Sequence, residues 1–103
     1  MAMAKIKVEI DEDLQDLIPQ FLENRKKDIE SLQSLVAQKD LTAIAQLAHK
    51  IKGAAAGYGF IDLSAMAAEM EKAAKNNDSS PLSGIANNMK THFENIEITF
   101  VPM

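Results

Sequence analysis

The stretch from Leu41 to about Tyr58, bounded by Asp40 and Gly59, most constrains the fold of this chain. Ile44, Ala48, Ile51, Ala55 and Tyr58 recur at the three- and four-residue spacing of one helix face. Asp40 is a strong helix N-cap and Gly59 a natural left-handed residue after the last turn, with Gly57 loosening that turn. One long amphipathic helix needs partners for its apolar stripe. The remaining sequence supplies more helices of the same kind.

Asp11 or Asp13 can cap a short helix containing Leu14, Leu17 and Ile18, and Pro19 suits the first turn of the next. Separate helices and one kinked helix both fit this pattern. The second piece reaches about Gln38 with Phe21, Leu22, Ile29, Leu32, Leu35 and Val36 inward. After Gly59 a further helix, Ile61 to about Asn76, presents Leu63, Met66, Ala67, Met70 and Ala74. Asn76 to Ser79 is a turn cluster, and Ser80-Pro81 offers an N-cap with proline at the first helical position. The last helix carries Leu82, Ile85, Met89, Phe93 and Ile96. Short loops between four such helices predict an all-α, antiparallel up-down four-helix bundle with a short N-terminal helix.

Lys5–Ile10 and Ile96–Val101 alternate in the manner of strands. In an up-down bundle the last helix ends beside the start of the first. The two segments are therefore expected to pair as a two-stranded antiparallel ribbon packed on the bundle end, since a lone ribbon is marginal in water. The competing expectation is that the last helix runs on through Phe100.

The chain's 103 residues make one domain, with a bundle core over about residues 11–96. With no cysteine there is no disulfide framework or thiol chemistry. The net charge of −4 argues against general nucleic-acid binding. No apolar run is long enough to span a membrane, and the N-terminus lacks the layout of a signal peptide, so a cytoplasmic protein is expected.

His49 lies one residue off the buried stripe and shares a second helix face with Ala45, Lys52, Gly53 and Ala56. A glycine inside a helix costs roughly 1 kcal/mol against alanine. Gly53 therefore asks for a reason, and clearance for something bulky approaching the imidazole is the simplest. Lys52 on the same face points to a visitor with negative charge. Lys50 is turned about 100° from His49, where it reads as solvated or as part of a positive rim. His92, beside Met89, Phe93 and Ile96, has no such neighbours and reads as a boundary histidine.

His49-x-x-Lys52-Gly53, followed by small residues and Gly59, resembles the signature of histidine-containing phosphotransfer (HPt) domains of bacterial phosphorelays. The resemblance extends to Asp13-Leu14, to Ile18-Pro19-x-Phe21-Leu22 with Arg25, and to Asp40-Leu41. It implies that His49 is a phosphoacceptor, that Lys52 steadies the phosphoryl oxygens and that Gly53 gives access. Ala45, Lys50 and Ala56 are then candidates for partner contact. Implied partners are response-regulator receiver domains, a hybrid sensor histidine kinase, or both. The Mg²⁺ of the reaction is expected on the receiver, and no cofactor on this chain, which is expected to act as a monomeric, stand-alone shuttle. Nothing here resembles the Gly-Lys-Ser/Thr loop of an ATP site. Two other classes are set against this reading. One is a helical docking module that binds a signalling partner without phosphorylation. The other is a metal or haem bundle, which needs Glu-x-x-His, whereas Gln46 and Met89 stand three residues before His49 and His92.

Overall fold

A computed structural model of the chain describes residues 5–102. The reading of the extreme N-terminus falls partly on residues 1–4, outside the described residues. The order is β1 (Ile6–Asp11), a 3₁₀ segment (Glu12–Leu17), α1 (Ile18–Gln38), α2 (Leu41–Tyr58), α3 (Ile61–Lys75), α4 (Leu82–Glu94) and β2 (Ile96–Val101). Each helix packs on the next and α4 returns to α1, closing a four-helix bundle. The loops are too short for anything but antiparallel neighbours.

Local chemistry explains the helix limits. The Asp40 carboxylate accepts the backbone N–H of Ala43 at 3.2 Å and caps α2. At its other end Gly59 adopts φ 94°, and the Phe60 N–H closes on the Ala55 carbonyl. Alanine there would be strained by that φ and would also meet the Ile10 side chain at 3.4 Å. Lys39, not a glycine, takes the left-handed position that ends α1, at φ 58°. Ser80 does not cap α4 as expected: its N–H and hydroxyl both donate to the Asp78 carboxylate, and Pro81 stands in the capping position.

The core combines Phe21, Ile29 and Leu32 of α1 with Ile44, Ala48, Ile51 and Ala55 of α2. Leu63, Ala67, Met70 and Ala74 of α3 and Leu82, Ala86 and Met89 of α4 complete it. Facing alanines let α2 and α3 approach closely, and this pair forms the most extensive contact of the bundle. Phe21 stacks on both Tyr58 and Phe60 with ring centroids 4.7 Å apart, fixing the end of α2 against α1.

Two expectations need correction at the N-terminal end. The short element before α1 is a 3₁₀ turn capped by Asp11, whose carboxylate accepts the Asp13 N–H. It runs directly into α1, and Pro19 lies in the first turn of α1, as expected.

The second correction concerns the ribbon, which is parallel. Ile6 pairs with Ile96, Val8 with Ile98 and Ile10 with Phe100. The Ile6 N–H donates to the Asn95 carbonyl at 2.8 Å, so β1 begins where α4 ends. Both strands then cross the bundle end in one direction, and the 3₁₀ segment turns the chain into α1. The antiparallel expectation treated residues 5–10 as collinear with α1, and that turn removes the collinearity. Parallel strands need a crossover between them, and here the four-helix bundle is the crossover. Ile10 is fully buried. The alternative of a continuous last helix also fails, because α4 stops at Glu94.

Candidate functional site

His49 sits in the middle of α2 with its side chain 68 % exposed, displaced from the Ile44, Ala48, Ile51, Ala55 stripe as the helical period requires. Its Nδ1 lies 2.9 Å from Oε2 of Glu71 on α3. Lys52 Nζ donates to the other carboxylate oxygen at 2.7 Å, and Lys75 Nζ lies 3.0 Å from Oε2. One carboxylate therefore gathers an imidazole and two ammonium groups.

Glu71 itself is buried, with its side chain 7 % exposed. Its charge survives there because its partners favour the ionised form. The hydrogen bond from Lys52 contributes most, followed by that from Lys75. Burial opposes them, His49 adds to them, and the result is a carboxyl held at about 2. An ionised carboxylate can only accept, so the proton it shares with the ring belongs to Nδ1. In the neutral imidazole this leaves the lone pair on Nε2.

The positions singled out in the sequence fall in different places. His49 and Lys52 are brought together through Glu71. Gly53 is exposed, and a methyl group built there would meet nothing within 4 Å, so it is not a helix-packing glycine. Ala45 is half-buried and borders the same depression as His49, Gln46, Glu71 and Lys75, while Ala56 is exposed. Lys50 leans to the other side, with Nζ 3.4 Å from Asp28 of α1. Asp28 is a buried partner of Arg25 at 2.9 Å, and Arg25 in turn lies over the Phe21 ring. His92 is buried at the foot of α4, far along the chain from these groups. Burial holds its pKa below the ordinary imidazole value, with Asp62 pulling the other way.

Glu71 and Lys75 were missed in the sequence. A signal for Glu71 was present. It falls between Ala67 and Ala74 on the buried stripe of α3, where an unpaired carboxylate is very costly.

The Hpt domain family model matches residues 8–98. The chain belongs to the Hpt domain family. Hpt domains serve phosphotransfer in two-component signalling, interacting with receiver domains and kinases. Searches of curated proteins and of solved structures returned no match. Among the described residues no helix is long and apolar enough to cross a membrane.

Proposed function

We propose that this Hpt domain is a phosphocarrier that accepts a phosphoryl group on Nε2 of His49 from a receiver aspartate, or from a kinase, and passes it to another receiver. The observation that carries this reading is the His49–Glu71 hydrogen bond. It orients the ring, keeps the proton on Nδ1 and leaves Nε2 on the exposed edge of the helix.

The Nε2 lone pair attacks phosphorus while the bond from phosphorus to the aspartyl oxygen breaks, and that electron pair leaves on the receiver carboxylate. The ring keeps its Nδ1 proton and becomes cationic, and Glu71 balances the new charge. Delivery reverses these steps, with a second carboxylate as nucleophile and the N–P bond breaking back to the ring. No proton moves in either direction. Lys52 offsets charge on the phosphoryl oxygens, and the open space over Gly53 admits the partner. Positioning and electrostatic stabilisation are what phosphoryl transfer chiefly requires. Mg²⁺ belongs to the receiver in this scheme.

Incubation with phosphorylated receiver domains tests the proposal. Acid-labile label should appear on the wild-type protein and be absent from His49→Gln. Partner binding with no label on any histidine would favour the non-phosphorylated docking module instead.

A further inference from the structure

Resting on the carrier reading of His49, we propose that Lys75 is a second phosphoryl-binding cation, held by Glu71 in the resting protein and released to the phosphoryl group when His49 is modified.

The placement comes from α3. Lys75 is the last residue of that helix, one turn after Glu71, where cations are favoured by the carbonyl end of the helix. The backbone around it is fixed: the Asn76 N–H closes on Lys72, the Asp78 N–H closes on Ala73, and Asn77 takes a left-handed conformation. The side chain above that anchor is 64 % exposed, so the ammonium group rides on a free four-carbon arm.

Lys75 and His49 address the same oxygen of Glu71, at 3.0 and 2.9 Å, while Lys52 has the other oxygen to itself. With a neutral ring this sharing is favourable. Once Nε2 carries phosphorus the ring is cationic, and two positive donors compete at Oε2. The ring is covalently fixed in place and its hydrogen bond becomes charge-assisted. The lysine is the mobile member, and a new anion lies beside it. A phosphoryl group brings about −1.5 to −2 charges at neutral pH. Together with the cationic ring, Lys52 and Glu71, that dianion leaves the site one negative charge in excess. Counting Lys75 brings it to neutrality.

The test uses phosphoramidate, a small N–P donor that needs no receiver, and ³¹P NMR of the phosphorylated full chain. A nearby ammonium favours the dianionic phosphoryl and lowers its second ionisation. Lys75→Gln should therefore raise that pKa by about 0.2 to 0.7 unit, the range expected for one partly exposed ion pair. Lys75→Arg should stay near the wild type. Lys27→Gln, which removes an equal charge from the exposed Lys27–Glu23 pair on α1, should leave it unmoved. A wild-type titration curve for Lys75→Gln would overturn the role of Lys75 and leave the carrier reading standing. Failure of phosphoramidate to label His49 would overturn both.

Discussion

Glu71 accepts the Nδ1–H of His49 at 2.9 Å across the α2–α3 seam while an ammonium group sits on each of its oxygens. The carboxylate thus sets the ring's tautomer and its direction, and the lysines keep that carboxylate ionised.

Glu71→Gln should slow phosphotransfer about five- to tenfold while the helical circular dichroism is retained. The amide oxygen can still accept from Nδ1, but a neutral acceptor contributes roughly 1 kcal/mol less than an ionised one. Single-turnover transfer from a labelled receiver measures this. An unchanged rate would remove Glu71 from the mechanism.

The same carboxylate makes a pH prediction. Its folded pKa, about 2, lies below the ordinary glutamate value of 4.5. The unfolded chain therefore binds more protons in that interval, so stability falls as pH is lowered from about 4.5 through 2. Denaturation midpoints of Glu71→Gln should decline less steeply over that window. Parallel curves would show that the groups gathered on Glu71 have no net stabilising effect.

His92 behaves with the same sign at higher pH. Its pKa is depressed by burial, so the folded state prefers the neutral ring, and stability drops as pH falls below the unfolded value near 6.5. His92→Leu should flatten that part of the profile, and His92→Gln should leave phosphotransfer intact. Loss of labelling in His92→Gln would mean that the phosphoacceptor has been misassigned.

Gly53→Ala should raise stability by about 0.5–1 kcal/mol, because alanine is the better helix former and its methyl group meets no neighbour. Gly53→Gln should keep the fold and impair transfer by crowding the approach to His49. Full activity of the glutamine variant would end the clearance argument.

Ile10→Ala should cost about 2–5 kcal/mol, the usual range for emptying a fully buried site, and leave transfer intact because the ribbon lies at the bundle end. Urea denaturation gives the first number and receiver-dependent labelling the second.

The four helices, the limits of α2 and its buried stripe were legible in the sequence, because helical period and end-capping are local properties. Asp40 and Gly59 act on residues within a turn of themselves. His49, Lys52 and Gly53 could be placed on one face for the same reason. Ser80 was misread because a competing local acceptor, Asp78, captures its hydroxyl. Tertiary structure alone decided that Glu71, 22 residues from His49, would meet it. That contact depends on how far α3 is rotated about its own axis against α2, a quantity that a single helix's periodicity does not contain. It also decided the direction of the ribbon. Strand alternation is identical for parallel and antiparallel pairing, so the choice was left to the path of the six-residue 3₁₀ turn that carries β1 into α1.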